Sequence, residues 1–397
     1  MIGSELPKGW DIQPLKEVVT STKGKKPKQL SELPFDNSIP YIDIKALEKD
    51  LIEQYADVES SKSFSPNDIA VVWDGARCGW VSKSKEGAIG STICALTPKN
   101  NIESNYLYYF LLEKYPIVNS KGRGVGIPHV DPTFFWDMEV PIPSPKEQKQ
   151  IAEKLDKLFG QIETIKEAFN KIPELLKNFR QQVLTYAVTG KLIESTPEPR
   201  MLGELIDELK YGTSKKADYD IEGFPVLRIP NINNGEIDSS DLKYVPLDDK
   251  EYNQLSLQEG DILVIRSNGS LSIVGQCAIV RKECENWVYA GYLIRIRCTH
   301  ELLPEYLNYI FQSYQVRKQI VEKSHSMSGV NNFSADKIKQ LEIAWYPVEV
   351  QKQIVDKLNS IFGKLNEIEK QYNTLSEKLD KLPQTLLCKA VKGELNR

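Results

Sequence analysis

The chain has 397 residues, long for one domain and comfortable for two, and its 41% hydrophobic content lets each bury a core, which excludes a disordered protein. Its formal charge of -4 excludes a protein that coats nucleic acid by charge alone, because nonspecific affinity comes from lysines and arginines that release counterions. Met1 to Trp10 lacks a basic start followed by an apolar run, and no stretch approaches a charge-free membrane span, so a soluble, cytoplasmic protein with no membrane contact is expected.

In chain order, residues 1–143 read as a module of mixed strand and helix. The runs Ile39–Ile44 and Ile69–Trp73 are apolar and β-rich, and a tyrosine- and leucine-rich helix fits Ser104–Tyr115. Residues 144–193 change character. From Ile151 through Leu155, Leu158, Ile162 and Ile165 to Val183, apolar residues step by four and then three, the seam of a coiled-coil helix. Ser144-Pro145-Lys146-Glu147 supplies a capping-box start, Gly190 a left-handed stop, and Pro173 is expected to kink the helix between them. A second mixed module occupies 201–346, with strands expected at Val226–Ile229, Asp261–Ile265, Cys277–Val280 and Tyr292–Arg297 and a helix at Pro304–Lys323. Residues 347–397 return to the seam through Ile354, Leu358, Ile361, Leu365 and Ile368, with Pro383 as the expected kink and Gly393 as the stop.

The two halves are copies of one plan, offset by roughly 203 residues, far longer than a solenoid period. Glu147-Gln148-Lys149-Gln150-Ile151 matches Val350-Gln351-Lys352-Gln353-Ile354, and Ala187-Val188-Thr189-Gly190-Lys191-Leu192 matches Ala390-Val391-Lys392-Gly393-Glu394-Leu395 without a gap. The modules share layout, as in Pro40-Tyr41-Ile42 beside Pro225-Val226-Leu227, but little identity. The expected fold is therefore α+β: two mixed α/β modules separated by two long antiparallel helices, a pseudo-twofold repeat whose termini lie close together. A straight helix from Ile151 to Val183 would span on the order of 50 Å, more than the roughly 34–36 Å turn of B-DNA that separates half-sites read from one side.

The order of modules and helices, the Glu147–Ile151 start and the endings at Gly190 and Gly393 resemble the specificity subunit of type I restriction-modification systems over essentially the whole chain. Tyr211-Gly212-Thr213-Ser214-Lys215, Pro225 to Ile232 and Gly260-Asp261-Ile262-Leu263 add to the likeness. The resemblance implies two target-recognition domains, each reading one half of a split double-stranded DNA sequence, and helical regions that dock two modification subunits. Those subunits would bind S-adenosylmethionine and methylate adenine at N6. Restriction subunits would join for ATP- and Mg-dependent translocation and cleavage, leaving this chain without a cofactor or a catalytic role.

Base reading needs exposed donors and acceptors, and phosphate contact needs cations or backbone amides. The candidates in the first module are Lys23, Lys25, Lys26 and Lys28, then Trp73 and Arg77, then Lys121, Arg123 and Gly126. Their counterparts in the second are Thr213, Ser214, Lys215 and Lys216, then Arg266, Asn268 and Ser270, then Ser328, Asn331 and Asn332. The bland alternative for each is a solvated turn.

An enzymatic reading finds little support. The six cysteines are scattered without metal-ligand spacing, so no metal site is expected. His129 and His325 lack an adjacent nucleophile or carboxylate pair, and no GxxxxGK[ST] phosphate loop occurs. Asp131-Pro132-Thr133-Phe134 superficially matches the adenine-holding motif of amino-methyltransferases, but its second proline is missing and no glycine-rich cofactor loop follows a strand. Two alternatives stand beside the leading one: a self-contained DNA-modifying enzyme, which methyl transfer by the chain alone would reveal, and a coiled-coil scaffold that never touches DNA, which leaves the two large modules without a purpose.

Overall fold

The computed structural model describes residues 6–99, 101–124, 126–324 and 329–395. The chain divides into two compact units: unit 1 comprises Met1–Asn170 with Thr374–Arg397, and unit 2 comprises Lys171–Asn373.

Each unit is built on the same four-stranded antiparallel sheet. In unit 1 its strands are β1 (Val19–Lys23), β2 (Ile69–Val72), β3 (Val81–Lys83) and β4 (Ile93–Pro98), in the order β1-β4-β2-β3. In unit 2 they are β5 (Ile206–Tyr211), β6 (Ile262–Ile265), β7 (Cys277–Ile279) and β8 (Leu293–Cys298), in the order β5-β8-β6-β7. β2 and β6 are buried along their whole length, as expected of a central strand covered on both faces. A second small sheet pairs Ser38–Ile42 in parallel with Ala88–Ile89 in unit 1, and Phe224–Leu227 with Val288–Tyr289 in unit 2. The expected second-module helix is broken at Gln312–Ser313 into Pro304–Phe311 and Tyr314–Lys323, where the Ser313 side chain caps a new start.

Three long helices complete the units: α1 (Pro145–Phe169), α2 (Ile172–Val188) and α3 (Val348–Val391). The Ser144–Glu147 capping box forms as the sequence dictates, and Gly190 and Gly393 adopt φ of 80° and 70° just past the helix ends. Pro173 does not kink a continuous helix; the chain stops at Asn170 and restarts, so that the proline falls in the first turn of α2, where no N–H is required. Pro383 behaves differently, since α3 continues past it without a break.

Within each unit a helix start packs against the end of the other copy's helix, antiparallel. In unit 1, Lys166 pairs with Asp380 at 3.1 Å and the Lys154 Nζ donates to the Leu395 carbonyl at 2.7 Å. In unit 2, Arg180 donates to Asn366 at 2.7 Å and the Lys357 Nζ to the Leu192 carbonyl at 3.1 Å. Pro7 and Gly393, near the first and last described residues, meet inside unit 1, where a Cβ on Gly393 would lie 2.3 Å from Pro7.

The repeated glutamine of the helix starts has a defined task. Gln148 and Gln351 are both fully buried. Gln148 accepts the Glu103 N–H at 2.8 Å and donates to the Asn101 and Pro143 carbonyls. Gln351 does the same with the Leu303 N–H at 2.8 Å and the Glu301 and Tyr346 carbonyls. Tyrosines of the module helix add a second tie, Tyr109 to Asp156 and Tyr309 to Asn359. A buried amide that satisfies three backbone groups fixes the angle at which each helix leaves its module.

Most of the seam is buried at these seated starts, and Val183 near the end of α2 is buried as well. Ile151, Leu155, Ile162, Ile354, Leu358 and Leu365 are buried, Leu158 and Ile361 are half-buried, and Ile165 and Ile368 are 45% and 47% exposed. The periodicity alone expects all ten to be covered; Ile165 and Ile368 are not.

Candidate nucleic-acid interface

The ends of the central strands bring many of the candidates together. In unit 1, Lys23 closes β1 and Trp73 follows β2. The Lys23 ammonium lies 5.5 Å from the Trp73 ring centroid and 2.6 Å from Asp74. Trp73 packs edge-on against Phe135 and tilted on Trp136, which fixes the indole in place. The loop 121–130 folds alongside: the Gly75 N–H donates to the Pro128 carbonyl, and Arg123 and His129 exchange backbone hydrogen bonds at 2.8 Å. Arg123 pairs with Asp131 at 2.7 Å, Arg77 pairs with Glu48, and the Lys121 ammonium sits 4.1 Å from the Phe134 centroid.

Asp131 explains the motif it belongs to. Its side chain caps the short helix Pro132–Trp136 by accepting from the Thr133 and Phe134 N–H groups, a structural use of Asp-Pro rather than an adenine clamp. Desolvation opposes its ionised form, but the Phe134 N–H and then Arg123 outweigh it and hold the carboxyl below the ordinary aspartate range. His129 lies half-exposed with Nδ1 3.9 Å from Asp74, within this loop frame and beside no nucleophile. His325 lies outside the described residues.

Unit 2 repeats this backbone with other side chains. The Arg266 N–H donates to the Tyr292 carbonyl and the Phe333 N–H to the Arg266 carbonyl, as Trp73 does with Thr92 and Val130. Lys23 opposes Cys94 across the sheet, and Tyr211 opposes Ile294. Positions 23 and 211, 73 and 266, 92 and 292 are therefore equivalent by register. The cation and the aromatic have changed places: the Arg266 guanidinium carbon lies 4.7 Å from the Tyr211 centroid. Asn268 and Asn331 pair across a short two-stranded bridge with Ser267 and Asn332, and the Asn331 amide donates to the Gly269 carbonyl at 3.0 Å.

Other candidates lie apart from these clusters. Lys25, Lys26 and Lys28 are exposed, and the Lys28 N–H donates to Ser60 beside the second sheet. Gly126, Ser214, Lys216 and Ser270 are exposed, and Lys215 pairs with Glu251. Thr213 is 9% exposed and spends its hydroxyl on the Lys215 N–H, a turn-forming role. Ser328 lies outside the described residues. Sequence reasoning passed over Tyr211 and Tyr292 as contact residues, 40% and 63% exposed at the same edge. Their signal was an aromatic at a strand terminus beside glycine, where a core residue has no reason to lie.

Comparison with known proteins agrees with this geometry. The family model for the type I restriction modification DNA specificity domain matches residues 7–174 and 195–377. The EcoKI specificity subunit of Escherichia coli (strain K12) is 33% identical over 100% of this chain and 91% of its own length. The StySPI specificity subunit of Salmonella potsdam is 30% identical over 98% and 90%. Among solved structures, the HsdS subunit from Thermoanaerobacter tengcongensis shares the fold with a TM-score of 0.68 at 17% identity, covering 99% of both chains. A chain from a structure of complex assembly and conformational transition of the type I R-M system reaches 0.73 at 18%, covering 99% of this chain and 100% of its own.

The chain belongs to the type I restriction-modification DNA specificity family. Within such a system it is the DNA specificity subunit, a non-catalytic component. Among the described residues, no helix is long and apolar enough to cross a membrane.

Proposed function

We propose that residues 1–143 and 201–346 are two target-recognition domains, each reading one half of a split DNA sequence, with 144–193 and 347–397 as the helical regions that connect them. The observation that carries this reading is the pair of strand-end clusters, which share sheet register and the backbone hydrogen bonds of Trp73 and Arg266 and differ in most side chains. One frame with two sets of donors and acceptors suits two different half-sites. Lys23, Trp73, Lys121 and Arg123 serve the first, and Tyr211, Arg266, Asn268, Asn331 and Asn332 the second. The exposed lysines near them contact phosphate.

The helices dock two modification subunits. Supporting this is a run of apolar side chains left open along them: Ile165, Leu175, Phe179, Ile368 and Leu375 are 45–63% exposed. Adenine-N6 methylation with S-adenosylmethionine, and ATP-driven restriction where restriction subunits join, belong to those partners in the cytoplasm.

The test is methylome sequencing of cells that express the chain with its modification subunit, against cells lacking only the chain. A split adenine-methylated motif that vanishes with the chain is the expected result. An unchanged methylome, with both proteins present and folded, contradicts the reading.

A further inference from the structure

Ten of the chain's eleven arginines lie among the described residues, and nine of them engage their guanidinium nitrogens with protein acceptors. Arg77 and Arg123 hold carboxylates, Arg295 and Arg297 hold Glu208 and Asp261, and Arg317 donates to backbone carbonyls. Arg266 is the exception among the described residues. Its guanidinium makes no hydrogen bond or ion pair among the described residues, its Nε is buried without an acceptor, and the charge-compensating contact it has there is the Tyr211 ring.

Such an arrangement is poor as a stability device and well suited to recognition. A guanidinium stacked on an aromatic face keeps its planar fork rigid while its terminal donors remain unspent. Tyr211 is itself anchored, because its hydroxyl accepts the Ala335 N–H at 3.1 Å. The fork stands at the end of the central strand beside Asn268, with the 63%-exposed Tyr292 at the register position that receives its backbone N–H.

We propose that Arg266 is a specificity-determining residue that reads a guanine in the half-site bound by unit 2. The inference rests on the reading of the units as two half-site readers and goes beyond it by naming a residue and a base. Two parallel donors match the O6 and N7 acceptors of guanine in the major groove, and no other base offers that pair. The equivalent position in unit 1 is Trp73, whose single N–H cannot make a bidentate contact, so the requirement belongs to one half-site only.

The test uses the assembled complex. Arg266→Lys, Arg266→Gln and Arg266→Ala are each expressed with the modification subunit, and their methylated motifs are compared with wild type. The half-site belonging to unit 2 is the one that survives exchange of residues 1–143. It is expected to contain a guanine, and the variants are expected to relax that position by roughly ten- to a hundredfold while leaving the other half-site intact. Placing 7-deazaguanine at that position in a duplex should weaken wild-type binding by a similar factor. That arm decides the matter even if Arg266→Ala fails to fold, and Arg266→Lys retains the cation over Tyr211. A unit 2 half-site without guanine overturns the assignment. So does an intact motif with uniformly weaker binding, which would make Arg266 a phosphate contact. A wild-type complex with no split motif at all overturns the half-site reading itself, and so the two failures are distinguishable.

Discussion

Asp68 in unit 1 and Asp261 in unit 2 close the same turn ahead of the same buried strand, accepting from the Ser65 N–H at 2.7 Å and the Gln258 N–H at 2.9 Å. Beyond that turn the two units part. Asp68 takes a second hydrogen bond from the Thr97 hydroxyl, and its surroundings carry Thr20 and Ala95. At the equivalent register positions unit 2 carries Arg297, Glu208 and Arg295. Asp261 is held by Arg297 at 2.8 Å, and Arg295, 1% exposed, reaches Glu208 at 2.6 Å and the Ser256 carbonyl at 2.9 Å. Divergence between the two modules therefore reaches into the sheet that supports the reading edge. The part kept constant is the backbone frame and the buried glutamine that seats each helix.

The largest effect expected from this contrast follows removal of Arg295. Arg295→Ala empties the space of a fully buried side chain and removes a donor from the Gln254 and Ser256 carbonyls and from Glu208, which keeps Arg297, and should cost about 3–5 kcal/mol by chemical denaturation. A triple variant, Glu208→Thr, Arg295→Ala and Arg297→Thr, recreates the unit 1 set and should lose less than Arg295→Ala alone. A larger loss would show that the two solutions are not interchangeable within one frame.

Next in size are the seats themselves. Gln148→Ala and Gln351→Ala each remove three hydrogen bonds to buried backbone groups, although the Glu301 carbonyl keeps the Trp345 indole N–H, and should cost about 2–4 kcal/mol. Similar losses are expected because the networks are the same; a loss confined to one would break the equivalence of the frames.

The reading edges should differ in their response to salt. In unit 1, Lys23→Ala and Arg123→Ala should weaken DNA binding by the assembled complex and reduce the salt slope by about one for each cation on a phosphate. In unit 2, Asn331→Ala should leave that slope unchanged while altering base preference.

The smallest effect concerns Asp57, whose carboxyl is pulled down to about 2 by the Ser60 hydroxyl and the Gln29 N–H. A depressed aspartate stabilises the fold fully above its ordinary value and loses that contribution as the pH falls toward 2. Asp57→Asn should flatten the acid limb of the stability profile between about pH 4 and 2, and an unaltered limb would remove Asp57 from the account.

Much of the fold was legible because period and punctuation are local properties. The strands at Ile69, Val226, Ile262, Cys277 and Leu293 lie where apolar β-branched runs put them, and both helix stops fall at Gly190 and Gly393. The break at Asn170 and the exposure of Ile165 and Ile368 were not legible, since the period of one helix does not say what packs against it. The same holds for the site. Lysine and glycine runs mark loops, but the exchange of cation and aromatic between Lys23–Trp73 and Tyr211–Arg266 becomes visible only once sheet register aligns positions that the sequence does not.

The central claim, that the units read independently, is tested most directly by replacing residues 1–143 with the corresponding module of a relative of different specificity. The hybrid is expressed with the modification subunit and its methylome sequenced. The account predicts a motif in which one half-site is new and the other, with its guanine, is retained. A motif changed in both halves would contradict it.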